Sequence, residues 1–260
     1  MISNSCLLGQ LLFIKQGDDK KMTEIINIAH RGASGIYPEN SMLAFKKAID
    51  MGCGGLEVDV QLSSDGEVVI FHDKKLQRVT NGEGLVCEHS YAELKKLEIT
   101  NNNQANQYPK QQIVTLKELL QMLQENEIFL NIELKNIYID YPGLEEKVYE
   151  LLKEYEMIER VVISSFNHYS LQRFAQISEE VDLGIIYLAN LIDPIAYAES
   201  LDFKLRSFHP LYSTLDEKRV EKMKKAGYDI FTYTVNDKID IKKVSNLDVD
   251  GIISDYPDRL

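Results

Sequence analysis

The chain has 260 residues, 44% of them hydrophobic, and its 41 acidic and 29 basic side chains give a formal net charge of −12. The length suits one α/β barrel of ~250 residues, and the composition is that of a folded protein with a sizeable core. The acidic excess argues against nucleic acid, whose phosphates require clustered Lys and Arg, and against stable association with an anionic membrane.

The first apolar run, Cys6 to Ile14, has no basic segment before it and no small-x-small cleavage site after it. It also falls short of the ~20 residues that a membrane span requires. Residues 1–21 are therefore expected to be an extension, with Met22 a possible internal start and residues 22–260 the barrel. Three cysteines (Cys6, Cys53, Cys87) without a CxxC pair suit a reducing, cytoplasmic setting.

Short β-branched runs then alternate with helical patterns. Strands are predicted at Ile25–His30, Leu56–Val60, Val68–His72, Ile128–Lys135, Val161–Phe166, Leu183–Leu188, Lys204–Phe208, Asp229–Val235 and Gly251–Ser254. Helices are predicted at Ser41–Met51, Thr115–Glu125, Leu144–Tyr155, Tyr169–Ile177, Leu215–Ala226 and Asp237–Val244, with Gly227 closing one of them. Such alternation means a parallel sheet, and the absence of a glycine-rich phosphate loop after any strand disfavours a dinucleotide-binding one. A (β/α)8 TIM barrel in a single domain accounts for eight strands. The ninth, Val68–His72, follows Ser64-Asp65-Gly66-Glu67 too closely for a crossover helix and is expected to return antiparallel through a two-residue Asp65-Gly66 turn. Lys74 to Gln112 has no sustained periodicity and forms a small insertion, either a cap over the barrel mouth or an excursion.

The chemistry lies where polar residues interrupt apolar strands. Glu57 and Asp59 are two apart on a strand and share a face; inside a parallel barrel neither face tolerates unpaired carboxylates, so a divalent cation is implied. The two-residue turn would set Asp59 opposite His72 across the ladder. Glu133 and Lys135 repeat the same-face pattern, as an internal ion pair or as a third metal ligand with a phosphate contact. Three carboxylates suit Ca²⁺ or Mg²⁺ better than zinc. His30, His72, Arg31 and Lys135 around one cation suit phosphoryl chemistry with two histidines as acid and base. No Gly-x-Ser-x-Gly elbow or cysteine nucleophile indicates covalent catalysis. His89 in the insertion is expected in solvent, His168 at a helix start, and His209 either lining the pocket or structural.

The strings His30-Arg31-Gly32-Ala33-Ser34-Gly35, Pro38-Glu39-Asn40-Ser41, Leu56-Glu57-Val58-Asp59-Val60-Gln61 and Val69-Ile70-Phe71-His72-Asp73 resemble the glycerophosphodiester phosphodiesterase family. So do Asn131-Ile132-Glu133-Leu134-Lys135, Ser164-Ser165-Phe166-Asn167, Thr234-Val235-Asn236-Asp237 and Asp250-Gly251-Ile252-Ile253-Ser254-Asp255, in order over nearly the whole chain. The resemblance implies a barrel that hydrolyses glycerophosphodiesters to sn-glycerol 3-phosphate and an alcohol. It implies His30 and His72 as the acid–base pair, Arg31 and Lys135 as phosphate contacts, and Glu57, Asp59 and Glu133 as metal ligands. It further implies attack by the neighbouring glycerol hydroxyl to give a cyclic phosphate. Phe166, His209 and Tyr233 are candidates to line the substrate pocket. Ser41 replaces the family's usual threonine and should preserve a cap; Tyr233 replaces a common tryptophan, which bears on the shape of the substrate-facing wall and not on the chemistry, and the insertion is expected to select the alcohol. A lysophospholipase D acting on a single-chain lipid and a non-catalytic phosphodiester-binding barrel are the alternatives.

Overall fold

The computed structural model describes residues 25–100 and 108–260. The expected extension at 1–21, and most of the polar stretch within the insertion, lie outside the described residues. Eight parallel strands close into a barrel: β1 (Ile26–His30), β2 (Gly55–Leu62), β4 (Phe129–Leu134), β5 (Val161–Ser165), β6 (Asp182–Tyr187), β7 (Ser207–Pro210), β8 (Asp229–Thr232) and β9 (Gly251–Ser254). Closure comes from β1, which pairs with β2 on one side and β9 on the other. The intervening helices are α1 (Met42–Asp50), α3 (Leu116–Leu123), α4 (Leu144–Glu154), α5 (His168–Ile177), α6 (Pro194–Glu199), α7 (Glu217–Lys225) and α8 (Lys238–Ser245), while α2 (Tyr91–Leu94) belongs to the insertion.

Local chemistry sets the helix starts. Ser41 Oγ accepts from the Ala44 amide and Thr115 Oγ1 from the Glu118 amide, each satisfying a donor left open in a first turn. In α3 the same four leucines that give the helical period, Leu116, Leu119, Leu120 and Leu123, are all buried. Helix α6 has no such stripe in its six residues; it rests on the Asp193 cap, which accepts from the Ala196 amide, and on Pro194 in its first turn. Periodicity therefore missed it. Strand β7 begins later than predicted, at Ser207, with the buried Leu205 lying ahead of it.

Alternation along the strands sorts the core into two parts. Outward residues such as Leu56, Val58, Val60, Leu130 and Ile132 pack under the helices. Inward residues Ile28, Phe129, Val162, Phe231 and Ile253 fill the lumen. Packing in the lumen is tight: a Cβ added to Gly184 would lie 2.3 Å from His209 Nε2 and 2.6 Å from Ser207 Oγ.

The ninth strand, β3 (Val68–Ile70), is antiparallel to β2 as expected, but its register differs by one residue. The loop has three residues, not two. The Gly66 amide donates to the Ser63 carbonyl, Gly66 takes φ +83°, and the ladder resumes with Ser63 N to Glu67 O. A type I turn followed by a left-handed glycine gives this three-residue loop. It pairs Val60 with Ile70, and Asp59 accepts from the Phe71 amide, so Phe71 and not His72 stands opposite Asp59.

The described part of the insertion packs around its own apolar side chains. Leu76, Val79, Val86, Leu94 and Ile99 bury one another together with Val69, Phe71 and Ile113. No helix among the described residues is long and apolar enough to cross a membrane.

Gly184→Ala should cost about 1–3 kcal/mol of stability, the usual range for forcing extra atoms into a packed interior. A shifted midpoint in chemical denaturation measures it; an unchanged midpoint would mean that His209 moves freely.

Candidate active site

The site lies at the C-terminal mouth of the barrel, where βα loops can project several side chains over one point. Glu57 and Asp59 on β2 and Glu133 on β4 all face inward, and Asp59 pairs with Glu133 across the ladder. One carboxylate oxygen from each lies within 4.8 Å of the others. Glu57 and Asp59 are buried, and the Glu133 side chain is 12% exposed.

Electrostatics follows from this crowding. Burial pushes the Glu57 carboxyl well above the ordinary carboxylate range, and the charges of Asp59 and Glu133 push it further. Burial would raise Asp59 too, but Arg31, Lys135, His72 and His30 hold it below the usual range. Arg31 Nε is 3.2 Å from Asp59 Oδ2, and Asn40 Nδ2 donates to the same oxygen at 2.8 Å. Lys135 Nζ donates to Glu133 Oε1 at 2.6 Å and stands 3.6 Å from Asp59 Oδ1.

These residues fit a metal ion. Asp59 Oδ1 is buried without a hydrogen-bond donor, and Glu57 carries a like-charge penalty that a cation would remove. The donor set is all oxygen, which suits a hard divalent cation.

Both histidines are anchored on the same ring atom. His30 Nδ1 is 2.6 Å from Asp255 Oδ1, and His72 Nδ1 is 2.6 Å from Asp73 Oδ1. A carboxylate can only accept, so each ring carries its proton on Nδ1 and leaves Nε2 free. His30 Nε2 points toward Glu57, 3.8 Å from Oε2. Although the hairpin register moves His72 off the position opposite Asp59, its charge still lowers the Asp59 carboxyl. Asp255 also receives Ser34 Oγ and Asn236 Nδ2. Burial opposes its ionisation, yet these bonds and His30 bring its pKa down to about 2.

The three candidate pocket residues diverge. Phe166 meets Tyr233 edge to face at 6.1 Å, and Lys135 Nζ stands 5.9 Å from the Phe166 ring, so both aromatics stand at the mouth. His209 is 1% exposed inside the barrel; its Nε2 pairs with Ser207 Oγ at 2.8 Å and burial lowers its pKa to about 3. His168 opens α5 as expected, and His89, half-buried, bonds its ring to the Leu85 carbonyl within the insertion.

Asp255, Asp73, Asn40 and Ser34 escaped sequence reasoning. Each falls inside a quoted motif, but only the pairing of β9 with β1 brings Asp255 to His30.

A sequence model of the glycerophosphoryl diester phosphodiesterase family matches residues 30–259. The chain belongs to that family. A glycerophosphodiester phosphodiesterase of Caldanaerobacter subterraneus subsp. tengcongensis is 40% identical over 233 residues, 90% of this chain and 95% of that one. A second, from Bacillus altitudinis, is 37% identical over 244 residues, 92% of this chain and 96% of that one. Among solved structures, a phosphodiesterase from Oleispira antarctica in complex with the product sn-glycerol-3-phosphate superposes with a TM-score of 0.81 at 33% identity, covering 91% of this chain and 95% of that chain. Membership in the glycerophosphoryl diester phosphodiesterase family agrees with the eight-stranded barrel and with the acidic trio at its mouth.

Asp255→Asn should lower turnover roughly 10–100-fold, the usual cost of removing a partner that orients a functional imidazole. It should also flatten the acid limb of stability. The depressed carboxyl stabilises the fold above its unfolded value of 3.8, and that contribution fades as pH falls toward about 2. Denaturation midpoints between those values test this; equal slopes for both proteins would refute it.

Proposed function

We propose that this chain hydrolyses glycerophosphodiesters such as glycerophosphocholine or glycerophosphoethanolamine to sn-glycerol 3-phosphate and an alcohol, with one bound Ca²⁺ or Mg²⁺. The observation that carries the proposal is the convergence of two carboxylate-anchored histidines, Arg31 and Lys135 on the Glu57, Asp59 and Glu133 cluster. Binding of sn-glycerol-3-phosphate by the Oleispira relative, at 33% identity, supports the substrate class.

When bound, the cation would be held by Glu57, Asp59 and Glu133 and would neutralise charge on the phosphoryl oxygens. Arg31 and Lys135 would orient the phosphate. Each is buried against carboxylates, which keeps it cationic and stiff. His30 and His72 each have Nδ1 held by an aspartate, which leaves Nε2 for the substrate; one, entering neutral, would take the proton from the attacking glycerol hydroxyl. The other, entering protonated, would give one to the leaving alcohol oxygen, each step worth roughly 10²–10⁴ in rate. Attack by the substrate's own hydroxyl gives a cyclic phosphate, which water then opens with the proton roles reversed. No protein nucleophile is required. Phe166 and Tyr233 would pack against the glycerol carbons, and the buried, neutral His209 would set the lumen floor beneath them.

A single-chain lipid is a second candidate substrate, favoured by Tyr138, Leu188 and Ile192, which expose large apolar side chains on the loops after β4 and β6. Glycerophosphocholine and lysophosphatidylcholine tested side by side decide between them.

Release of glycerol 3-phosphate in the presence of Ca²⁺ or Mg²⁺ should stop on chelation and resume when the cation is restored. His30→Ala and His72→Ala should each abolish turnover while leaving the fold intact by circular dichroism; activity near wild type in either removes that residue from the pair. Glu57→Gln should weaken cation affinity at least tenfold, read from metal titration of activity and from calorimetry with the metal alone.

A further inference from the structure

Arg78 stands in the insertion, at the end of a 3₁₀ turn, Leu76–Arg78, and its side chain is 42% exposed. One guanidinium there makes four hydrogen bonds to two carboxylates. Its Nε and Nη2 donate to Asp73 at 2.5 and 3.1 Å, and its Nη1 and Nη2 donate to Glu39 at 2.8 and 2.7 Å. Each carboxylate in turn holds a group of the site. Asp73 accepts from His72 Nδ1, and Glu39 accepts from Arg31 Nη1 at 3.1 Å. Polar contacts therefore run without a gap from His72 to Asp59, with charges alternating along Asp73, Arg78, Glu39, Arg31 and Asp59.

We propose that Arg78 is a positioning residue through which the insertion fixes the separation between His72 and Arg31. The proposal rests on the roles given to those two residues above. Three segments meet at this side chain: the β1–α1 loop carries Glu39, the exit of β3 carries Asp73, and the insertion carries Arg78 itself. Two carboxylates sharing one cation are drawn together; without it they repel, and each takes its own partner away from the phosphate. A planar fork is needed, because a lysine ammonium is a point charge that cannot bind both carboxylates in paired geometry. Since Arg78 reaches substrate only through His72 and Arg31, its loss should fall on turnover more than on substrate affinity.

The test measures kcat and KM on glycerophosphocholine for wild type, Arg78→Ala, Arg78→Lys, Asp73→Asn, the Arg78→Ala/Asp73→Asn pair and His72→Ala, with melting temperatures for all. Arg78→Ala should lose roughly 10–100-fold in kcat with KM within about threefold of wild type, and millimolar guanidinium ion should restore part of the loss. Arg78→Lys should regain stability but not kcat, which covers the case in which the alanine variant folds poorly. In the Asp73→Asn background, removing Arg78 should cost much less than in wild type, because the two losses share one path. Wild-type kcat in Arg78→Lys, a rise confined to KM, or fully multiplicative losses in the double variant would each overturn the proposal. Activity in His72→Ala would instead overturn the acid–base assignment on which it stands.

Discussion

Like charges crowded at the mouth of a closed barrel govern this molecule. Moving one carboxylate out of water costs several kcal/mol even after relaxation, and here three share one small volume. Glu57 cannot stay comfortably ionised beside Asp59 and Glu133, whereas Asp59 can, because Arg31, Lys135 and Asn40 are packed against it. Much of the surrounding architecture follows from that imbalance. The β1–α1 loop bends so that both Arg31 and Asn40 reach Asp59, and each does so from left-handed backbone, at φ +55° and +53°. Such conformations are uncommon for residues with a side chain and persist where surrounding contacts over-determine them. The pull of a buried carboxylate from two directions is such a contact.

The barrel divides its interior accordingly. Toward the amino ends of the strands, Ile28, Phe129, Val162, Phe231 and Ile253 form a dry plug. Toward the carboxyl ends the inward positions turn ionic. The plug is what makes the ionic layer rigid, since close-packed side chains beneath it leave the carboxylates no room to retreat. Rigidity also reaches the two imidazoles, each with its Nδ1 tied to an aspartate, so that both expose the same nitrogen to the space above the trio.

Most of the strand–helix alternation and all three clustered carboxylates could be read from the chain, because hydrophobic periodicity and same-face spacing are local properties. What escaped depends on pairings distant in sequence. The β2–β3 register turned on whether Gly66 ends a two-residue or a three-residue loop, and the Asp65-Gly66 pair is compatible with both. The error displaced His72 by one residue along the ladder, yet its imidazole remains near the trio, since it emerges beyond the strand end where register no longer constrains it. Asp255 lies 225 residues from His30, and only closure of the barrel makes them neighbours. The insertion looked unstructured because its short turns are too brief for any period to emerge, although Leu76, Val86 and Leu94 are fully buried.

The bond between His30 and Asp255 joins the first barrel strand to the segment just after the last. A barrel that has not closed keeps its acidic trio and both histidines in the chain, but the His30 imidazole lacks its carboxylate anchor. If His30 acts as proposed, chemical competence waits until the final strand has docked. On the roles proposed above, a partly folded or nicked chain would bind phosphate and cut it poorly, and hydrolysis would report that the cylinder is shut.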